Sequence, residues 1–334
     1  MAKYEFISKF PKSVQIIFWI FISCRPRQWL KNVALFGPLV FAGELLNPQK
    51  FWLVVFGFVI FSMVASAIYL VNDVIDINKD RSHPFKSKRP IAAGMLSPQI
   101  AIGASIALLV VALFAASAVS LFFTYATVAY AVLQILYSLY LRSMILIDVM
   151  AIATGFLLRV YAGAVLIDAH VTVWFILTVA SLALFLAVGK RRSERTLLAG
   201  TGNLGTRSIL SHYPESLLDS LSVMFATTCL FSYTMFTFQQ PVSVVGPQFS
   251  VVFGDYLPKA LLASKWLMVS VPFVIYGVMR YLYVIHEKKE GESPERVLLS
   301  DKPLLVTVVL WALSVFIIIY GTEFLPARII QIMQ

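Results

Sequence analysis

Residues 51–80 read FWLVVFGFVIFSMVASAIYLVNDVIDINKD. From Phe51 to Val71 there is no charged side chain. An uncharged run of that length, at about 1.5 Å per residue, spans a hydrocarbon core about 30 Å thick. It then runs straight into Asp73, Asp76 and Asp80. The stretch therefore reads as a membrane-spanning helix that ends in carboxylates. The rest of the chain has the same character. Of 334 residues, 59% are hydrophobic and 13% charged, with a mean hydropathy of +0.83. A soluble protein carries about 25% charged residues and could not bury so much apolar surface. The predicted class is all-α: one polytopic membrane domain over residues 1–334. The two cysteines, Cys24 and Cys229, lie in apolar runs and read as small core hydrophobes, which excludes a disulfide scaffold. The net charge of +10 suits membrane topology better than a nucleic-acid face.

Nine spans are predicted, near 28–45, 51–72, 98–119, 121–140, 144–166, 171–189, 215–238, 262–285 and 304–322. The first is interrupted by Lys31, Asn32 and Pro38. Residues 1–24 read as an N-terminal cytoplasmic and interfacial segment, because the apolar run Val14 to Cys24 is short and lies between Lys12 and Arg25. A cleaved signal peptide is the rival reading. With the N-terminus in the cytoplasm, the inside segments hold 22 of the 27 Lys and Arg residues and the outside segments 4, with Arg159 inside the fifth span. That asymmetry predicts a cell-membrane protein with its N-terminus inside and its C-terminus outside. The stretch 240–261 is apolar enough to lie on the membrane. The polar inside loops 77–97, 190–214 and 286–303 are where function is expected.

Asp73, Asp76 and Asp80 fall at i, i+3 and i+7, and Asn72, Asp76 and Asp80 at i, i+4 and i+8, so a helix gathers them into one stripe. Clustered carboxylates at a membrane are costly unless a cation relieves them. Mg²⁺ suits such a stripe, since it takes one or two carboxylates and completes its shell with water and phosphate oxygens. Asn72 adds a neutral oxygen or a hydrogen bond. Arg81, Lys86, Lys88 and Arg89 follow at once. Acid followed by base is the layout of a metal–diphosphate site, with Lys and Arg on the phosphates. The same cations would also serve topology alone. His83, in the same loop, reads as a loop residue rather than a base. The four histidines are scattered and suggest no zinc site.

NDxxDxxxD at 72–80, followed by DRSHPFKSKRPIAAG at 80–94, resembles the first aspartate-rich motif of the UbiA-type prenyltransferase superfamily. The resemblance implies an intramembrane bundle of generally nine helices, with a pocket open to the cytoplasm that binds a Mg-diphosphate. Within the superfamily, RPRQWLKN at 25–32, HPFKSKRPIAAG at 83–94, YSLYLRSMILIDVMAIATGFLLRVYAG at 137–163 and VGKRRSE at 188–194 resemble the decaprenyl-phosphate phosphoribosyltransferase branch. The likeness covers most of residues 25–200, and SDKPLL at 300–305 adds a weaker echo. Enzymes that consume a prenyl diphosphate commonly carry a second carboxylate-rich motif. Here Asp148 is followed four residues on by Ile152, so the second pair is missing. Arg142 stands where that branch often has Lys.

The remaining candidates carry two readings each. Asp148 and Arg159, eleven residues apart, return to nearly one face of the fifth span. They are functional groups of the membrane interior or members of structural ion pairs. Lys31, beside the motif residue Asn32, is expected to contact phosphate, whereas Arg27 is expected to snorkel to headgroups. Lys190 and Arg191 end the sixth span, where they hold a phosphate or satisfy the helix terminus. Tyr137 bonds a phosphate or a ribose hydroxyl, or is an interfacial aromatic. Small residues along 151–163 read as helix-packing positions.

The activity that the resemblance implies is Mg²⁺-dependent transfer of 5-phosphoribose from phosphoribosyl diphosphate to a polyprenyl phosphate. Asp73 and Asp76 would be the catalytic pair, and Asp73, Asp76 and Asp80 the metal ligands. The alternatives are prenyl transfer from a prenyl diphosphate to an aromatic or lipid acceptor and, from another class, an ion-coupled transporter. The transporter fits poorly, because its carboxylates belong near the midplane. Expected partners are polyprenyl phosphate, phosphoribosyl diphosphate and membrane lipids. Self-association into a homo-oligomer is a further option, and nucleic acid is not expected.

Overall fold

The computed structural model describes residues 10–82, 86–200, 213–240, 265–288, 297–298 and 300–321. His83 and the apolar stretch 241–261 lie outside them. The described secondary structure is entirely helical. It comprises α1 (Lys12–Ser23), a 3₁₀ segment (Pro26–Leu35), α2 (Phe36–Phe41), α3 (Pro48–Ile75), α4 (Ile77–Arg81), α5 (Pro98–Val119), α6 (Leu121–Leu139), α7 (Ile147–Ile167), α8 (Val173–Gly200), α9 (Glu215–Gln239), α10 (Val271–Tyr283) and α11 (Lys302–Tyr320). Among the described residues, eight helices are long and apolar enough to cross a membrane. This is a multi-pass membrane protein.

Eight of the nine predicted spans are found, α5 at the predicted residues 98–119. The first is not a long α-helix. Residues 26–41 form the ten-residue 3₁₀ segment followed by the six-residue α2. Pro26 sits at the start and Pro38 inside α2, and neither has an N–H to give to an α-helical ladder. The 3₁₀ winding has a use. At three residues per turn, Trp29, Asn32 and Leu35 share one face. Trp29 Nε1 donates to Ser66 Oγ at 3.1 Å, and Asn32 Nδ2 to Ser62 Oγ at 3.0 Å. Ser62 and Ser66 are one turn apart on α3, so i, i+3 on one helix matches i, i+4 on the other.

The chain folds as two compact units. Unit 1 takes Met1–Gly37, Pro48–Arg142 and Leu158–Asp168, and unit 2 takes Pro38–Asn47, Ser143–Leu157 and Ala169–Gln334. In unit 1, α3 packs on α5, α6 and the 3₁₀ segment. A Cβ on Gly163 would meet the Leu35 carbonyl oxygen at 2.0 Å, so only glycine lets the two backbones approach. Ser120 closes α5 and caps α6, accepting from the Phe123 N–H at 3.1 Å. α1 is apolar but only 12 residues long, too short to cross. Its Trp19 packs with Cys24, Leu70, Ile91, Leu96 and Ala101, while Val14, Ile17 and Phe21 are exposed.

In unit 2, α8 packs on α9 and α10 on α11. Phe41 lies edge-on to Phe175 and Phe236 and beside Trp311. Asp301 caps α11 through the Leu304 N–H at 3.1 Å and receives both Nε and Nη2 of Arg280 at 3.0 Å. This gives Asp301 of the SDKPLL stretch a structural role.

Candidate active site

α3 ends at Ile75 and α4 starts at Ile77, with Asp76 between them at φ −89° and ψ 9°. The helical hydrogen bonds run on across this join, Asp76 N to Asn72 O at 2.9 Å and Asp80 N to Asp76 O at 2.8 Å. Asn72 Nδ2 ties the end of α3 to Ser138 Oγ of α6 at 2.9 Å. The stripe therefore exists, but it is divided. Asp73 and Asp80 have side chains 2% and 4% exposed and share one guanidinium: Arg89 Nη1 reaches Asp73 Oδ1 at 3.1 Å and Asp80 Oδ2 at 2.6 Å. Asp76 is 22% exposed and faces a different cation, with Arg142 Nη1 and Nη2 on its two oxygens at 3.1 and 3.3 Å. Arg25 Nη2 donates to Asp73 Oδ1, and its guanidinium lies 4.7 Å above the Tyr69 ring.

The loop that carries Arg89 is built by ordinary turn chemistry. Lys86–Lys88 form one 3₁₀ turn. The Ala93 N–H then bonds the Arg89 carbonyl at 2.8 Å and the Met95 N–H the Pro90 carbonyl at 2.8 Å. Gly94, at φ +77°, supplies the left-handed residue that reverses the chain. Ile91 and Leu96 are buried in the cluster that includes Leu70 of α3, so apolar packing holds Arg89 over the acids. Arg81 Nε fastens α4 to the same loop through the Ala92 carbonyl at 3.3 Å. Lys86 is half-buried and Lys88 exposed.

The cluster thus unites Asn72, Asp73, Asp76, Asp80, Arg89 and Arg142, with Arg81, Lys86 and Lys88 in the adjoining segments. It also includes Arg25 and Ser138, which the sequence did not single out. Arg25 adopts φ +53°, a region that non-glycine residues avoid, and no periodicity announces that. Its one sequence signal was its place at the head of RPRQWLKN. Arg159 is buried, with Nε on Asn32 Oδ1 at 2.8 Å and Nη2 on the Tyr130 hydroxyl at 2.6 Å. Lys31 is half-buried beside Asn32, and Tyr137 half-buried beside Ser138.

The donors at the end of α3 are all oxygens, the set that a hard cation such as Mg²⁺ takes. Among the described residues, no three His, Cys, Asp or Glu side chains gather closely enough to hold an ion by themselves. That also fits Mg²⁺, which keeps waters and phosphate oxygens in its shell. One or two of Asp73, Asp76 and Asp80 would hold it, with water and substrate oxygens completing the shell.

Residues 33–299 match the UbiA prenyltransferase family. The chain belongs to that family. It is 34% identical over 303 residues to a decaprenyl-phosphate phosphoribosyltransferase of Corynebacterium glutamicum, covering 89% of this chain and 85% of that one. A protein of the same name from Mycolicibacterium smegmatis is 31% identical over 301 residues, covering 89% and 91%. Among solved structures, a UbiA homolog from Archaeoglobus fulgidus bound to DMAPP and Mg2+ superposes with a TM-score of 0.62 at 19% identity, over 92% of this chain and 99% of that one. The protein is an enzyme, a UbiA-type membrane transferase.

In this UbiA-family chain the lone carboxylate of the expected second motif is enclosed. Asp148 is fully buried at the start of α7. Arg191 Nε donates to its Oδ2 at 2.7 Å, and the Tyr213 hydroxyl to its Oδ1 at 2.7 Å. Arg191 also donates through Nη1 to Glu194 at 2.8 Å, and Lys190 lies 3.9 Å from Glu194. The Tyr213 oxygen accepts the N–H of Leu146 at 2.6 Å, a residue held at φ +66°. Burial, and then the bond to Asp148, push the Tyr213 hydroxyl up to about 12, so it stays a donor at neutral pH. Tyr213 was not foreseen. It lies 65 residues from Asp148 and precedes α9 as an ordinary tyrosine.

Proposed function

We propose that the protein transfers the 5-phosphoribosyl group of phosphoribosyl diphosphate to a polyprenyl phosphate at the end of α3, on the cytoplasmic face of the cell membrane. The observation that carries this reading is the cluster of Asp73, Asp76 and Asp80 with Arg25, Arg89 and Arg142. It is an acid–base set matched to a metal-bound diphosphate. The names of the relatives from Corynebacterium and Mycolicibacterium support a phosphoribosyl group as what is moved and a polyprenyl phosphate as its acceptor.

A phosphate oxygen of the lipid forms the new bond to the anomeric carbon of the ribose. The bond from that carbon to diphosphate breaks, and its electron pair leaves with diphosphate. The phosphate nucleophile is already ionised at neutral pH, so no strong general base is required. Asp73 and Asp76, with Asp80 in the same stripe, would hold a Mg²⁺ ion, whose positive charge would offset the charge gathering on the leaving diphosphate. Arg25, Arg89 and Arg142 donate charge-assisted hydrogen bonds to the same oxygens, and Asn72, tied to Ser138, orients the helix end that presents the acids. Lys86 and Lys88, in the 3₁₀ turn that leads into Arg89, are the cations assigned to the donor's 5-phosphate.

Prenyl transfer is the second reading, supported by fold neighbours from Archaeoglobus fulgidus solved with GPP or DMAPP and Mg2+. Against it stands Asp148, whose oxygens are taken by Arg191 and Tyr213. The discriminating assay gives purified protein Mg²⁺ and polyprenyl phosphate with either phosphoribosyl diphosphate or a prenyl diphosphate plus an aromatic acid. Product only in the first mixture is expected. Product only in the second installs the prenyltransferase. A reporter fused after Gln334 tests the orientation and is expected to be active outside the cytoplasm.

A further inference from the structure

Ser62, Ser66, Tyr69 and Asp73 stand at i, i+4, i+7 and i+11 of α3, which is one face of that helix. The chain from Arg25 to Asn32 runs antiparallel along this face and meets it in order. Asn32 Nδ2 reaches Ser62 Oγ at 3.0 Å, and Trp29 Nε1 reaches Ser66 Oγ at 3.1 Å. The Arg25 guanidinium then lies 4.7 Å over the Tyr69 ring and bonds Asp73. The two neutral rungs set the register in which the charged one arrives at the acid end of α3.

The difficult step is the turn at Arg25. α1 closes with the Cys24 N–H on the Ile20 carbonyl at 2.9 Å and the Arg25 N–H on the Ile22 carbonyl at 3.2 Å. Arg25 then takes φ +53° and ψ +65°, the left-handed conformation that helices commonly give to glycine at this place. Glycine would relieve the backbone but carries no guanidinium. A strained conformation at an arginine has to be held by its surroundings. Trp29 holds this one. Its Nε1 lies 3.3 Å from the Cys24 carbonyl oxygen as well as 3.1 Å from Ser66 Oγ, so one indole N–H is shared between the turn and α3. That carbonyl belongs to the peptide whose orientation defines φ of Arg25. Ser66 Oγ directs its own hydrogen to the Ser62 carbonyl at 2.6 Å and the Cys24 carbonyl at 3.3 Å, which leaves its lone pairs for the indole. The ring itself is edge-on to Phe21 of α1 at 6.1 Å and packs with the cluster of Trp19, Cys24 and Leu70. Moving it opens apolar contacts.

We infer that Trp29, with Ser66, is a positioning residue of the transferase: its indole N–H fixes the Cys24 carbonyl, and so the left-handed turn that carries the Arg25 guanidinium across to the end of α3. Trp29 acts through Arg25, four residues away. The inference rests on the role given to Arg25 under the proposed function, and it adds the device that delivers that side chain.

A double-mutant cycle on the full-length protein in detergent tests it. Wild type, Trp29→Phe, Arg25→Gln and the double variant are compared by kcat/KM for the donor that the wild type consumes. Trp29→Phe keeps an aromatic ring in the cluster and removes the N–H. It is expected to lower kcat/KM about tenfold in the wild-type background and less than about twofold in Arg25→Gln, the coupling of residues in one hydrogen-bonded network. Ser66→Ala takes the place of Trp29→Phe if that variant does not fold, with a smaller loss and the same dependence on Arg25. Equal losses in the two backgrounds overturn the inference and make Trp29 a packing residue alone. An Arg25→Gln variant as active as wild type also overturns it, and leaves the carboxylates of the site standing. A wild type that consumes only a prenyl diphosphate overturns the proposed function instead, and the cycle run with that donor still decides the role of Trp29.

Discussion

In unit 1, Asp73, Asp76 and Asp80 meet arginines that keep 27–39% of their side-chain surface; in unit 2, Asp148 meets Arg191 and Tyr213, and none of the three keeps more than 5%. Both are carboxylate–cation clusters. Their energetics differ. An arginine that keeps part of its surface exposed loses little when its carboxylate is removed, because solvent screens the charge. A buried guanidinium that loses its carboxylate has no such escape, and the loss costs several kcal/mol. Charge in the first cluster is partly open to solvent. Charge in the second is fixed, and its consequence is mechanical: it ties the start of α7 to α8 and to Tyr213.

The sharpest way to break that contrast is to remove one acid from each cluster. Asp73→Asn is expected to lower turnover by at least about a thousandfold, the scale of lost electrostatic stabilisation at a reacting centre, while the protein inserts and purifies normally. Asp148→Ala is expected to cost about 3 kcal/mol of stability, because Arg191 keeps Glu194 but loses its other carboxylate and the buried Tyr213 hydroxyl loses its acceptor. It should show first as a lost yield or a lowered melting temperature in detergent. If Asp148→Ala is stable and inactive, the second cluster belongs to the chemistry and the contrast fails.

Smaller changes sharpen it. Tyr213→Phe removes one hydrogen bond to Asp148 and leaves the Leu146 N–H without its acceptor. The expected loss is about 1–3 kcal/mol in thermal stability, with KM for the donor unchanged. Because the Tyr213 hydroxyl titrates only near about 12, its contribution should be flat from pH 6 to pH 9. Arg142→Ala is the mildest. Its ion pair is the most exposed, so stability should shift by less than about 1 kcal/mol. KM for phosphoribosyl diphosphate should rise about tenfold, the value of one lost charged hydrogen bond.

Much of this was legible in the chain. Hydropathy located α3 and α5–α11 because each is a continuous apolar run. The spacing of Asp73, Asp76 and Asp80 announced the stripe, and the cations after it announced the loop. The first span was misread because apolar content does not distinguish an α-helix from a 3₁₀ segment. Pro26, Asn32 and Pro38 were visible, but their joint effect depends on the fit of Trp29 and Asn32 to Ser66 and Ser62. Arg25 stayed hidden for a related reason. It reaches Asp73 from 48 residues away through a left-handed backbone conformation. Asp148 and Arg159 share a helix and nearly a face, which suggested a common role. Their partners, Arg191 with Tyr213 and Asn32 with Tyr130, come from other helices and divide them. The weave of two compact units from discontinuous segments has no local signal at all.

The central claim is that the acids at the end of α3 carry a metal-dependent transfer of phosphoribose to lipid. It is tested by following label from phosphoribosyl diphosphate into lipid-extractable product, first in EDTA and then after Mg²⁺ is restored, for wild type and Asp73→Asn side by side. The account predicts no labelled lipid in EDTA, recovery in the wild type on adding Mg²⁺, and none in Asp73→Asn under either condition. Labelled lipid formed by the wild type in EDTA, or by Asp73→Asn at a rate near the wild type, would contradict it.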